Sequence, residues 1–244
     1  LQTCDDMERQ LSDQARNIDV LLAFYVSTMR EADRLHREFE QAVSDYDWQD
    51  VQSVMKPVKQ QVRKHYGKLV ETVQLIFTRH LEQSGWPLAG QLSNADVFDS
   101  IVAPKLQKNG HKVAYLMIDA LRYELGVALE RQLTEDGQVE VQAAMAQLPS
   151  ITQVGMASLL PGAGQQLCIK NDAQSVLPML GDQEMATVSQ RMDVFRRKYG
   201  QRFEEGRLED FVRGRFDFSP ETDLLVLRAV EIDSHFESHP DTAP

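Results

Sequence analysis

The sequence has few cysteines and no long apolar run. Its 244 residues include two cysteines, Cys4 and Cys168, which stand far apart and in no metal-type spacing. Such sparse use argues against a disulfide framework, and it indicates a reducing compartment, the cytoplasm. No apolar run reaches the roughly 20 residues that span a bilayer, so we expect no membrane association.

The local signatures of several enzyme classes are absent as well. The chain contains no G-x-S-x-G, H-E-x-x-H, C-x-x-C or P-loop pattern, which leaves little support for a Ser-His-Asp hydrolase or a P-loop nucleotidase. The formal net charge of −11 speaks against a general nucleic-acid-binding surface. The exception is a basic helix over 56–68, for which a solvated face is the first interpretation. Contact with nucleic acid or an acidic partner is the alternative.

Two amphipathic stripes are present in the first third of the chain. Apolar residues recur at steps of three and four over 11–43, which predicts one long helix, and again over 54–81 after a polar turn. Such a pair is typical of an antiparallel helical hairpin. The helical periodicity ends at residues 84–90, which contain Gly, Pro and Trp. We therefore predict a helical hairpin domain over 1–90 and a second domain over 91–244.

The second domain alternates strand-like and helix-like segments. Apolar runs predict strands over 111–119, 139–149, 166–171 and 223–233, and helical spacing occurs over 120–133, 152–160 and 182–200. This alternation predicts an α/β sheet with helices on both faces.

Three of the predicted strands are followed by polar residues suited to chemistry. They are Asp119, the Ser150/Thr152 corner in "QLPSITQVGMASLLPG", and Asp233. Ligands of open α/β sheets bind beyond the carboxyl ends of the strands, so these side chains are candidate site residues. The alternative is that they cap helices, since Asp, Ser and Thr are all good N-caps.

The end of the chain is dense in metal-ligand types. Glu231, Asp233, His235, Glu237 and His239 fall on every second residue, and on an extended chain this spacing would place all five on one side. Oxygen and imidazole groups together suit Zn²⁺ or Mn²⁺. A solvated acidic terminus is the alternative interpretation.

Two motifs carry a family resemblance. "YLMIDALRYELGVALERQL" followed by "LPSITQVGMASLLPG" resembles the PglZ domain, which occurs in BREX phage-resistance systems and belongs to the alkaline phosphatase superfamily. The resemblance covers about residues 111–240. It implies an alkaline-phosphatase-like α/β fold, of which 91–244 would be the N-terminal portion.

The resemblance implies roles for individual residues. Asp119 matches the strand-end aspartate that binds one metal of a two-metal phosphate site, and Thr152 matches the nucleophile, whose oxygen also contacts that metal. Asp233 matches the aspartate of the second metal, and Glu237 occupies the last position of the same motif. Phe236 replaces a glycine within it.

Arg122 lies in the matching D-A-L-R run, where it would orient Asp119 or a substrate phosphate. The implied function is a phosphatase or phosphodiesterase of a phage-defence system, acting on phosphate esters or diesters. Zn²⁺ is the expected cation and Mn²⁺ the alternative.

A further Asp-His pair and another His complete the metal shells in the superfamily, and only "PDTAP" follows His239. Because zinc sites need three or four ligands, we expect this chain to be an incomplete fragment that binds metal weakly and is close to inactive. The alternative is a non-catalytic module that docks other defence proteins.

Overall fold

A computed structural model describes residues 1–45, 52–135, 137–172 and 175–238, the side chains of residues 52, 172 and 236–238 excepted. The chain forms two compact units. The first is built mainly from Leu1–Gly85 and Arg122–Ala143, and the second from Trp86–Leu121 and Ala144–His235. The predicted boundary between residues 90 and 91 stays a prediction.

The described elements are those of a mixed α/β protein, with helices alone before the first strand. The helices are α1 (Gln2–Gln14), α2 (Ile18–Phe24), α3 (Arg30–Asp45), α4 (Gln52–Ser84), α5 (Asn94–Val97), α6 (Ala103–Leu106), α7 (Tyr123–Leu133), α8 (Thr152–Ser158), α9 (Ala163–Gln166), α10 (Val188–Tyr199), α11 (Leu208–Val212) and α12 (Glu231–Ser238). The strands are β1 (Val113–Ile118), β2 (Leu167–Asp172), β3 (Ser175–Leu180), β4 (Gln183–Glu184), β5 (Phe203–Arg207) and β6 (Leu224–Ala229). None of the helices in the described ranges combines the length and apolar character needed to cross a membrane.

The first unit is helical and holds its own apolar core. This core joins α1, α2, α3 and α4 through Met7, Leu11, Leu21, Phe24, Met29, Ala32, Tyr66 and Leu69. Between α3 and α4, the Tyr66 hydroxyl donates to Asp33 Oδ1 at 2.9 Å, and Arg63 makes two hydrogen bonds with Glu40. These contacts run in opposite chain directions along the two helices. The hairpin as a separate domain remains a prediction.

The single helix predicted over 11–43 is wrong in its continuity. The helix ends at Gln14, and the Asn17 side chain accepts from the Val20 N–H to begin α2. A π-helical turn, Tyr25–Met29, then separates α2 from α3. Leu11, Met29 and Ala32 of this apolar run lie in the core, whereas Leu35 is 38% exposed, so the stripe predicted the buried face only in part. Periodicity alone does not reveal a cap or a π-helical turn.

The basic residues predicted over 56–68 lie on α4, a continuous helix that includes Pro57. Two of these cations are engaged within the first unit, because Arg63 pairs with Glu40 and Lys68 Nζ lies 2.7 Å from Glu8. Acidic side chains of the same unit therefore neutralise part of the basic face.

The second unit contains a parallel sheet with the order β1-β6-β5. One face packs on α10 and on the π-helical segment Phe98–Val102, with Phe195 stacked on Phe203 at 5.5 Å. On the other face Leu225 and Leu227 are buried. The parallel sheet of the predicted α/β class is thus present, whereas Leu116 on β1 is 42% exposed, so covering of the second face is incomplete at that edge.

The strand predicted over 139–149 is wrong. In the described residues of that segment, only Met145 makes a β-bridge, to Ser93, and the Met145 N–H donates to Leu92 O at 2.8 Å. The strand predicted over 166–171 does form, as β2, but it pairs antiparallel with β3 in a separate sheet of order β2-β3-β4. Alternation along the sequence therefore overstated the size of the parallel sheet.

Candidate functional site at the carboxyl end of the parallel sheet

Asp119 follows β1 directly and extends its ladder by one residue. Its N–H donates to Ala229 O of β6 at 2.9 Å, so Asp119 lies at the carboxyl ends of the parallel strands. The carboxylate accepts from the N–H of Ala120, a non-glycine residue with a φ of 56°. Helix α7 begins later, with Arg122 at its N-cap and no side-chain cap. Asp119 therefore does not cap α7, so the alternative interpretation of this carboxylate as a helix cap is wrong.

Thr152 is the first residue of α8, and it does not cap that helix. Ile151 holds the N-cap position without a side-chain hydrogen bond, and a tight turn precedes it, in which the Ile151 N–H donates to Pro149 O at 2.9 Å. Thr152 is exposed, and its hydroxyl makes no hydrogen bond with any residue in the described ranges. The hydroxyl is thus presented to solvent at the start of a helix whose other end accepts a bond from Tyr115 of β1, at Leu159 O.

Asp233 follows the neighbouring strand at the same edge as Asp119. Because β1 and β6 are parallel and in register from Val113↔Leu224 to Ile118↔Ala229, the segments that continue them emerge together. Asp233 is half-buried in the first turn of α12. An acidic residue there also favours the helix dipole, so a structural role accompanies any other.

The extended segment predicted over 231–239 is wrong, since residues 231–238 form α12. Residues two apart on a helix point about 200° apart, so Asp233 lies on the side of α12 opposite to Glu231 and His235. The side chain of Glu237 and the whole of His239 lie outside the described residues. The proposed role of Glu237 stays a prediction.

Arg122 belongs to the helical unit together with its partners. Its Nη2 donates to Glu124 Oε1 at 3.2 Å, and Arg37 of α3 makes an ion pair with the same carboxylate at 3.1 Å. Glu124 is buried, so both arginines hold a carboxylate that water does not reach. The predicted role of Arg122 toward Asp119 or a phosphate stays a prediction.

Sequence reasoning missed the charged residues that surround this sheet edge. Arg228 stands one residue before the end of β6, and Glu205 of β5 lies 3.0 Å from it. Arg191 of α10 is 6% exposed and lies within electrostatic range of Asp119 and Arg228. An arginine inside the apolar run "DLLVLRAV" was the available signal, because a charge near the end of a buried strand is costly without a partner.

The side chains at the carboxyl ends of the strands are of types that bind metal ions. Two carboxylates and a hydroxyl suit a hard divalent cation, which prefers oxygen ligands. Within the described part of the chain, however, no three His, Cys, Asp or Glu side chains stand close enough to hold a metal ion.

A family model described as "BREX system PglZ alkaline phosphatase-like domain" matches residues 97–223, over half of the chain. The chain belongs to the PglZ family. The recognition from the two motifs is thus confirmed. The PglZ match includes Asp119, Arg122 and Thr152 and ends before Asp233 and Glu237, so the last two rest on the motif at the chain's end alone.

Two curated relatives are similar to part of this PglZ chain. The alkaline phosphatase-like protein BrxZ of Escherichia coli O9:H4 (strain HS) is 36% identical over 86 residues, 34% of this chain and 10% of that protein. The alkaline phosphatase-like protein PglZ of Bacillus cereus (strain H3081.97) is 35% identical over 82 residues, 33% of this chain and 10% of that protein. The matched segments thus span about a tenth of the relatives' length.

Proposed function

We propose that this PglZ chain carries part of the site of a metal-dependent phosphatase or phosphodiesterase of a phage-defence system, with Thr152 as nucleophile. The single observation that carries the proposal is that Asp119 does not cap α7 and Thr152 does not cap α8, since Arg122 and Ile151 hold the two N-cap positions. Capping was the strongest competing explanation for both residues, and the names of the curated relatives favour phosphatase-like chemistry.

The chain's own groups would divide the reaction as follows. Asp119 and Asp233 would hold divalent cations, with Zn²⁺ expected and Mn²⁺ as the alternative, and Glu237 is a further proposed ligand. Cations bound there would lower the pKa of the Thr152 hydroxyl and balance charge on the phosphoryl oxygens. Thr152 Oγ1 would form a bond to phosphorus while the bond to the ester oxygen breaks, and the proton lost by the hydroxyl would leave with the alcohol through solvent. Water would afterwards break the bond between Oγ1 and phosphorus, which releases phosphate and restores the hydroxyl.

The number of ligands determines the expected metal affinity. Zinc in proteins ordinarily has three or four protein ligands, and the described residues of this chain bring no such set together. We therefore expect weak metal binding by the 244-residue chain, with low turnover. Dialysis against Zn²⁺ followed by elemental analysis would measure this. Retention of a full equivalent of tightly bound zinc would contradict it.

The test of the function is hydrolysis of an aryl phosphate monoester and diester by the intact protein, with added Zn²⁺ or Mn²⁺. We expect metal-dependent turnover that Thr152→Ala abolishes and Thr152→Ser partly retains, because serine keeps the attacking oxygen. Thr134, whose hydroxyl bonds within α7, provides the control variant Thr134→Ala with unchanged turnover. Turnover by Thr152→Ala equal to that of the wild type would exclude Thr152 as nucleophile.

A second candidate function is a non-catalytic docking module for other proteins of the defence system. The observation that favours it is the apolar exposure of α4, where Val54 is 67% and Leu75 is 55% exposed. Under this alternative, no metal supports turnover by the intact protein. Replacement of Val54 by Asp would then impair phage defence without changing the chain's stability.

A further inference from the structure

Two arginines lie on the same side of the sheet as Asp119. The register places Met117 of β1 beside Arg228 of β6, and side chains alternate between the two faces of a strand. Asp119 comes two residues after Met117 and remains in the ladder through its bond to Ala229. Asp119 and Arg228 therefore project from the same face, which is the face that α10 covers with Arg191.

Arg191 is a nearly buried guanidinium with few acceptors. It is 6% exposed, and its Nη1 donates to Met185 O at 2.9 Å and to Ala186 O at 2.8 Å. A guanidinium carries five N–H donors. In the ranges that the structure describes, the donors of Nε and Nη2 meet no acceptor.

Arg228 is similarly incomplete in its contacts. Its Nη2 forms an ion pair with Glu205 at 3.0 Å, while its Nε is buried and has no hydrogen-bond partner among the described residues. The Glu205 carboxylate is shared, because Arg196 pairs with it as well. One carboxylate therefore serves two guanidinium groups.

The two guanidinium groups also repel each other. Burial lowers the pKa of Arg191 most, Arg228 lowers it further, and Asp119 opposes both effects. Like charges with unsatisfied donors in a partly buried position are costly unless an anion lies between them. Planar guanidinium forks match the oxygens of a phosphoryl group better than any other side chain does.

We propose that Arg191 and Arg228 form an oxyanion subsite beside Asp119, which takes the non-bridging oxygens of a phosphoryl group. The proposal rests on the proposed function for its ligand class, and it gives substrate contact to two arginines that the family motifs did not indicate. The buried position of Arg191, fixed by two backbone carbonyls, makes this donor rigid before any ligand arrives. Arg228 is 29% exposed at its side chain, so it provides the side from which an anion enters.

The test is calorimetric titration of the metal-free 244-residue chain with inorganic phosphate, and with sulfate as a tetrahedral anion of the same shape. We expect phosphate binding that Arg228→Met and Arg191→Lys each weaken by about tenfold or more, because each loses a charge-assisted fork. Arg197 is an exposed arginine on the same helix, so Arg197→Met is the matched control and should bind phosphate like the wild type. Circular dichroism reports whether each variant is folded.

Absence of phosphate binding by the wild-type chain, or unchanged binding by folded Arg228→Met, would overturn the proposal. If Arg191→Lys does not fold, the more exposed Arg228→Met still decides. Because the titration uses neither metal nor turnover, it is independent of the hydrolysis assay. If the chain binds phosphate but the protein shows no turnover, the proposed function is refuted and the proposed subsite stands. If turnover occurs but the arginine variants bind phosphate like the wild type, the function stands and the subsite is refuted.

Discussion

At the scale of single residues, the candidate site contains polar side chains that do not cap the helices beside them in the sequence. Asp119 and Thr152 both precede or open helices, and both leave the cap position to another residue. Arg191 and Arg228 are also incompletely paired, since each guanidinium has N–H groups without a hydrogen-bond acceptor among the described residues. Residues in such positions are more informative about function than residues whose hydrogen bonds are complete.

We expect Asp119→Asn to remove the response of the chain to divalent metal. Wild-type chain in excess Mn²⁺ should show a raised melting temperature, since a ligand that binds only the folded state stabilises it. Asn keeps an acceptor for the Ala120 N–H but loses the charge that a cation requires, so the variant's melting temperature should not respond to Mn²⁺.

Asp182 is exposed and far along the chain from the candidate residues, so Asp182→Asn is the control and should respond like the wild type. An Mn²⁺ response of Asp119→Asn equal to the wild type's would show that Asp119 is not a ligand.

The buried His36 predicts a pH dependence of the helical unit. Burial lowers its pKa below the ordinary value of 6.5, Asp33 and Glu40 oppose this shift, and Arg63 and Arg122 reinforce it. The unfolded chain then binds the proton more readily than the folded chain does. The stabilising contribution is present above about pH 6.5 and is lost as pH falls below it.

Urea unfolding followed by circular dichroism on either side of that pH measures this effect. The wild type should lose more free energy of unfolding on acidification than His36→Gln does. His111 is exposed, so His111→Gln should keep the wild-type dependence. Equal losses in the wild type and His36→Gln would contradict the prediction.

At the scale of elements, the turn after β1 holds the backbone in an unusual conformation. Ala120 has a φ of 56°, where a Cβ is disfavoured by about 1–2 kcal/mol, whereas glycine occupies this region freely. Ala120→Gly should therefore raise the free energy of unfolding by about 0.5–1 kcal/mol after the greater entropy of the unfolded glycine chain is subtracted. Ala128→Gly, within helix α7, should lower it by about 1 kcal/mol. Denaturant midpoints of both variants provide the check, and a destabilised Ala120→Gly would count against backbone strain at this turn.

The elements also show what the sequence could and could not predict. Of the strand predicted over 223–233, Leu224–Ala229 forms β6, and the helix predicted to stop at Gly200 ends at Tyr199 with Gly200 at its C-cap. Both were predictable because a continuous apolar run and a glycine at a helix end are local signals. The strand over 139–149 failed because its alternation has no neighbouring strand to pair with, beyond one bridge at Met145. The prediction for residues 231–238 was wrong because charged residues at every second position were interpreted as an extended chain. A helix begins there instead, just after β6.

For the candidate site, the sequence indicated the residues that follow the strands. It did not indicate residues of other elements that pack near the carboxyl ends of those strands. Asp119 and Asp233 follow two strands that the apolar runs predicted, and the structure shows that these strands are parallel neighbours. Arg191 comes from α10, and only the packing of that helix on the sheet brings it near Asp119. Long-range packing of this kind has no signature in a local motif.

At the scale of the whole molecule, the chain belongs to the PglZ family, and its activity is a proposal. The match to the PglZ domain covers residues 97–223, while the similar segments of the curated relatives make up 10% of each protein. Asp119, Thr152, Arg191 and Arg228 are the proposed contacts of the candidate site, and among the described residues no three His, Cys, Asp or Glu side chains stand close enough to hold a metal ion.

The most direct test of the account is a crystal structure of the chain with excess Zn²⁺ and orthovanadate, with zinc located by its anomalous signal. We predict zinc within about 2.0–2.2 Å of a carboxylate oxygen of Asp119 or Asp233, with vanadate beside Thr152 Oγ1. Zinc bound away from both carboxylates, or vanadate held at a place that Thr152 does not contact, would contradict the claim that these three residues serve one phosphate-ester site.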